Sequence, residues 1–296
     1  MSCFISSSWL IIATRSVRQA AYSLLDTNTK RAAHLRIGNF LIQSLKPAVL
    51  DLCAQPFNSE WQPICDAKER KAVDELLSSV VVQTDEDNDT TSLFDVANHL
   101  NKAMPAIEER RERDRLAKLN VLAVLKCRPS SPRCACGYSY NALLALADAK
   151  SAVAAVEESA RKLACDALSS CTSAASSSAA APTAGCEHKG AERDEDEHSV
   201  SSGDESTDGL FEALANIDFD ALIGNEPWQR SYQLAFNVFR LRLQAEQTWP
   251  EHHQLAATFT PVVLKRAGNS LDKARVCRMA AQHFGMIQQV DQVSKL

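Results

Sequence analysis

Between Pro227 and Val290 large apolar residues recur at three- and four-residue steps with no low-complexity interruption, a rhythm that limits this stretch to helices packed on a core. Tyr232, Phe236, Phe239 and Leu243 share one helical face, and Leu234, Val238 and Leu241 fill the face beside it, so the spacing predicts a largely buried helix. Pro227 suits a first turn, where its missing N–H costs nothing, and Trp249–Pro250 ends the pattern. A second helix is expected to carry Leu255, Phe259 and Val263 on one side as far as Gly268–Asn269, which tolerate the geometry of a C-terminal cap. A third, capped by Ser270, carries Cys277, Ala280, Phe284 and Ile287. A helical core with no further role accounts for this much.

The chain of 296 residues has room for one large or two ordinary domains. Its formal net charge of −5 and the lack of a clustered basic face argue against a nucleic-acid binder, which needs cations along the phosphates. No run of eighteen apolar residues occurs, so no transmembrane segment is expected. Residues 1–25 hold Arg15, Arg18, several serines and the patch Trp9–Ile12 with no acid, a composition compatible with a mitochondrial transit peptide or with a chain whose start lies upstream. Without a convincing secretory signal the expectation is a cytoplasmic chain whose ten cysteines are mostly reduced.

Residues 26–168 read as an N-terminal helical region. Ile37, Phe40, Leu41 and Leu45 form a first stripe that Pro47 interrupts, and Val49, Leu50 and Leu52 follow, then Val73, Leu76, Leu77 and Val80. Leu93, Phe94, Val96, Ala97 and Leu100 restart a helix that Pro105 stops. Glu108 to Arg115 is a run of charge expected to be a solvated helix face leading into Leu116, Leu119, Leu122 and Leu125. Asn141 to Leu168 reads as one alanine-rich helix. Cys127, Cys134 and Cys136 invite a zinc site, but zinc sites take two spaced pairs, so no metal and no cofactor is expected. Residues 169–209, first serine and alanine and then acids and serines, cannot bury enough apolar area to offset chain entropy and are expected to be a disordered linker. Residues 210–296 form the C-terminal helical region. Its first part, 210–223, interleaves acids with bulky apolar groups; it either folds back on the chain's own helices or lays Phe211, Leu214 and Leu222 in a partner's groove. The expected fold class is all-α, a helical bundle with a long disordered insert.

The segment His253-Gln254-Leu255-Ala256-Ala257-Thr258-Phe259-Thr260-Pro261-Val262-Val263-Leu264-Lys265 resembles the "N-L-A-x-x-F-x-P-x-L-L-R" block of Rho-family GTPase-activating domains, an all-α family. Residues 236–243 look like the long helix before that block and 275–284 like the family's closing helix. Ile12-Ala13-Thr14-Arg15-Ser16 falls where the family has its arginine loop, without the loop's glycines and phenylalanine, and Leu41 to Pro47 falls where it has "L-x-x-F-L-R-x-L-P-x-P". Gln254 stands in place of the family's asparagine. The resemblance implies a protein that stimulates or binds Rho-family small GTPases, with Arg15 as the catalytic arginine and Lys46, Gln254, Pro261 and Lys265 as partner-binding residues. The alternative from a different class is a non-catalytic helical scaffold that holds a partner through 210–223.

Overall fold

The computed structural model describes residues 19–45, 47–57, 61, 93–127, 131–159, 161–162, 214 and 217–293. Every regular element among them is helical, so the fold is all-α. The chain divides into two compact units, one of Met1–Val153 with Asp218–Leu296 and one of Ala154–Ile217. Within the smaller unit residues 154–159 are helical, the Ser159 hydroxyl donates to the Ala155 carbonyl at 2.8 Å, and the Ile217 N–H donates to the Leu214 carbonyl at 3.2 Å.

The larger unit contains α1 (Thr27–Ile42), α2 (Pro47–Ala54), α3 (Leu93–Ala103), α4 (Arg110–Cys127), α5 (Pro132–Leu146), α6 (Phe219–Ile223), α7 (Glu226–Arg230), α8 (Tyr232–Gln247), α9 (His253–Arg266) and α10 (Ser270–Val293). Each long helix packs chiefly on its neighbour in the chain: α1 on α3, α3 on α4, α4 on α5, α5 on α8, α8 on α9 and α9 on α10. Spatial order therefore follows chain order, as short connections between long apolar-faced helices favour. The expected α8 is present and buried from Leu234 to Leu243 without a break, because it lies between α5 and α9 rather than at a surface. The linker at 169–209, the stripe Val73–Val80 and Phe211 lie outside the described residues.

Several faces differ from the expected ones. On α1 the buried residues are His34, Gly38 and Ile42, whereas Phe40 is 70% exposed and Ile37 is also exposed. The reason is a close helix crossing: a Cβ at position 38 would stand 2.5 Å from Leu100 Cδ2, so glycine lets α1 lie this near α3 without displacing the Leu100 side chain. Beside it His34 Nδ1 and His99 Nδ1 are 2.9 Å apart, and the Tyr22 hydroxyl lies 2.7 Å from His34 Nε2. On α10 Asp272, Val276, Met279 and His283 are buried, while Cys277 and Phe284 of the expected stripe face outward. That rotation follows polar contacts. The Tyr232 hydroxyl donates to Asp272 Oδ2 at 2.8 Å and the His283 ring meets the His253 ring edge-on at 4.8 Å. The N-cap is Asn269, whose side chain accepts the Asp272 N–H at 2.8 Å, one residue before the expected Ser270.

The charged run before α4 is not a solvated face throughout. Arg113 is 1% exposed and donates to the carbonyls of Leu144 at 2.7 Å, Ala147 at 2.9 Å, and Met104 and Ile107 at 3.4 Å each. Arg110 adds bonds to Leu146 and Ala147. Two guanidinium forks thus close the carbonyl end of α5, where an α-helix leaves four acceptors unsatisfied and its dipole favours positive charge. Burial pulls the Arg113 pKa down to about 10, still charged at neutral pH. Lys118 closes α2 in the same way, donating to the carbonyls of Cys53 and Gln55. The single helix expected over Asn141–Leu168 is instead broken after Leu146, where Asp148 accepts the Ser151 N–H at 2.9 Å and caps a new helix at 149–159.

Candidate functional site

Of the residues that the sequence singles out, three can be placed. Gln254, Pro261 and Lys265 lie on α9 at steps of seven and four, all exposed, with exposed Thr258 between them. The opposite face of the same helix buries Ala256, Phe259 and Val263. This division is the amphipathic pattern of a helix with one face in the core and one offered outward. Pro261 sits inside α9, where it has no N–H to give to the Ala257 carbonyl and its ring crowds that oxygen. The Arg266 side chain that follows Lys265 is tied inward to Asp220 Oδ1 at 2.5 Å and Asn225 Oδ1 at 2.6 Å, which fixes the end of α9 against α6 and α7. Arg15 and Lys46 lie outside the described residues, so the stripe stands without the other two positions that the resemblance implies.

Beneath the stripe lies a feature that the reading of α8 as an apolar helix missed. Arg242 and Glu246 are 3% and 0% exposed and joined at 2.8 Å from Nε to Oε1, and the Tyr140 hydroxyl of α5 donates to the same oxygen at 3.2 Å. The Arg242 guanidinium carbon lies 4.0 Å from the Phe259 ring centre, 4.8 Å from that of Phe219 and 5.1 Å from that of Tyr140. Three helices thus wrap aromatic faces around one cation held on a fourth, a setting in which such contacts contribute on the order of 2 kcal/mol once water is excluded. Burial and the adjacent carboxylate push the Tyr140 hydroxyl far above its ordinary range, so it stays a donor. Burial likewise raises the nearby Cys136 thiol. The sequence held a signal in the Arg242–Glu246 spacing of four, which sets opposite charges on the face of Val238 and Phe239 rather than on the polar stripe of Asn237 and Arg240.

Because Phe219 is fully buried, stacked on Tyr140 with ring centres 6.0 Å apart, and Ile223 is also buried, the end of the 210–223 segment belongs to the chain's own core. Leu214 is buried and Leu222 half-buried, so neither is presented as an open anchor for a partner's groove. Cys134 lies exposed in the first turn of α5, where its N–H reaches Ser131 Oγ, while Cys127 and Cys136 are buried. No group of three metal-ligating side chains occurs among the described residues, and none of their helices is long and apolar enough to cross a membrane.

No protein-family model, no curated protein and no solved structure matches this chain.

Proposed function

We propose that this chain binds a protein partner through the outward stripe of α9, and that the partner is a small GTPase of the Rho family. What supports the reading is one observation: the three positions that the block resemblance assigns to partner contact, Gln254, Pro261 and Lys265, share an exposed stripe, while Ala256, Phe259 and Val263 of the block are buried and Leu255 and Leu264 half-buried. The stripe offers an amide, a hydroxyl and a cation, which suits a polar protein surface better than an apolar groove. Stimulation of hydrolysis is a further step that Arg15 would supply, by placing a guanidinium on the transferring phosphate, an effect on the order of 10³–10⁵ in rate.

A second reading, a non-catalytic helical scaffold, is favoured by the packing, among the described residues, of seven long helices in chain order, an arrangement that presents extended side surfaces. Purified full-length chain is titrated with Rho- and Rac-type proteins carrying a non-hydrolysable GTP analogue or GDP. Preferential binding of the GTP form, weakened roughly tenfold or more by Gln254→Ala with Lys265→Glu, is the expected result, since a few central contacts carry most interface energy. Phosphate release that is accelerated by the wild type and by Arg18→Ala but not by Arg15→Ala identifies the activator. Binding without acceleration leaves the scaffold, and no binding to either nucleotide form refutes the GTPase as partner.

A further inference from the structure

Away from α9, a cleft of about 220 Å³ opens between α1, α3 and the start of α4. Its floor is aliphatic, made by Leu35, Leu100, Ile107, Leu116 and Leu119, of which all but Leu35 are buried. Its mouth carries Glu108, Glu109 and Glu112, with Arg115 Nη1 standing 3.6 Å from Glu112 Oε2. Three carboxylates therefore face one guanidinium at the opening of an apolar hollow.

We propose that this cleft receives a lysine or arginine side chain of a partner polypeptide, with its alkyl stem on the leucine floor and its cation among the carboxylates. Size decides against larger ligands: pockets for nucleotides and other drug-sized molecules run from about 300 to 1,000 Å³, and this one falls short of that range. Chemistry decides against a purely apolar occupant, because a leucine or phenylalanine end would leave two net negative charges at the mouth without a counter-charge. Lysine and arginine are the side chains built to combine both surfaces, covering apolar area with the stem while the head stays at the solvent edge. The carboxylates have one role within the fold. Glu109 precedes α4 and its carbonyl accepts the Arg113 N–H at 3.1 Å, so acids here favour the helix N-terminus. That role explains negative charge at the spot; it does not explain an aliphatic hollow beneath it. The assignment uses none of the α9 stripe and stands or falls separately from it.

The test is a methyl NMR titration of the full-length chain, reading the Leu100, Ile107, Leu116 and Leu119 methyls, with Leu243 in the α8 core as the remote reference. The probes are blocked Gly-Gly-Xaa-Gly-Gly peptides with arginine, lysine or norleucine at the centre, together with butylammonium. The arginine and lysine peptides are expected to shift the cleft methyls saturably and not Leu243, and the norleucine peptide, with the same stem and no charge, is expected to bind at least about tenfold more weakly. The exposed-rim variant Glu108→Gln/Glu109→Gln/Glu112→Gln should lose about tenfold for the cationic peptides while leaving far-UV circular dichroism unchanged, and raising salt from 50 to 500 mM should weaken the wild type in the same direction. Equal binding of norleucine and arginine peptides, or a rim variant that binds as the wild type does, overturns the charge assignment. Butylammonium binding as tightly as the peptides transfers the site to a free amine and overturns the polypeptide source. No shift with any probe overturns the site altogether.

Discussion

Removing one half of the buried ion pair on α8 should cost far more than removing both. In Glu246→Leu the Arg242 guanidinium stays 3% exposed among three aromatic rings with this carboxylate gone, and Tyr140 loses the acceptor at 3.2 Å. Breaking a buried pair in this way costs about 3–5 kcal/mol, two to four decades in the folding equilibrium, against a total stability of about 5–15 kcal/mol for a typical domain. Arg242→Met leaves a carboxylate at 0% exposure and should fall in the same range. The double variant Arg242→Met/Glu246→Leu replaces both charges by apolar groups of similar volume, and methionine keeps a favourable contact with the rings that surround position 242. It should therefore lie within about 1–2 kcal/mol of the wild type, giving a coupling of at least about 4 kcal/mol in a double-mutant cycle, since the two singles together cost at least about 6. The measurement is urea unfolding of all four proteins followed by circular dichroism. A double variant as unstable as the two singles added together would refute the reasoning, because the pair would then be contributing independently of each other.

Arg113→Lys should destabilise the fold nearly as much as Arg113→Ala, by about 3 kcal/mol, because a single ammonium cannot reach Leu144, Ala147, Met104 and Ile107 together; rescue by lysine would show that charge alone suffices. His34 and His99 are both held below the ordinary histidine pKa of about 6.5, first by burial, then for His34 by His99 and Lys102 and for His99 by Lys102 against Asp95. With both folded values depressed the unfolded chain binds more protons, so the urea midpoint should be level above about pH 7 and fall as pH drops through 6.5, and His34→Gln/His99→Gln should flatten that fall except for the share due to His283, which is shifted the same way. Phe219→Ala should cost about 3–5 kcal/mol by opening a hole against Tyr140 and Arg242, and a change under 1 kcal/mol would show that α6 is not part of the core.

How much of this could be read in the sequence differs from helix to helix for physical reasons. α8 was legible because large apolar residues occupy more than half of its circumference, although the structure also buries Asn237, Arg240 and Gln247 of its polar stripe, and α3 was legible because Leu93, Val96, Ala97 and Leu100 stand on one side only. α1 and α10 each have two apolar stripes, and periodicity cannot rank them. On α1 the winning face contains a glycine and a histidine, valued respectively for the space they leave beside Leu100 and for a ring partner on α3. On α10 the winning face contains Asp272 and His283, whose partners Tyr232 and His253 lie in other helices. The arginines of α4 were misread for the same reason. Nothing near Arg113 in sequence shows that four carbonyls, two of them more than thirty residues away, converge on its side chain. On α9 the spacing of Phe259 and Val263 gave the buried side, while Gln254, Pro261 and Lys265 were named only through the resemblance; the cleft beside Leu100 could not be read, since it exists only where three helices meet.

The direct contact of α5 with α8 has a topological consequence. Tyr140 and Glu246 are bonded across a separation of 106 residues, so the chain that leaves α5 returns to it at α8. The entropy of closing a flexible loop grows only with the logarithm of its length, about 0.6 kcal/mol per doubling, so a contact such as that of α5 with α8 tolerates a long separation in sequence. A chain severed between α5 and α6 would place Tyr140 and Cys136 on one piece and Arg242, Glu246 and Phe219 on the other, so reassembly of the two pieces would have to rebuild the buried ion pair's surroundings from both sides.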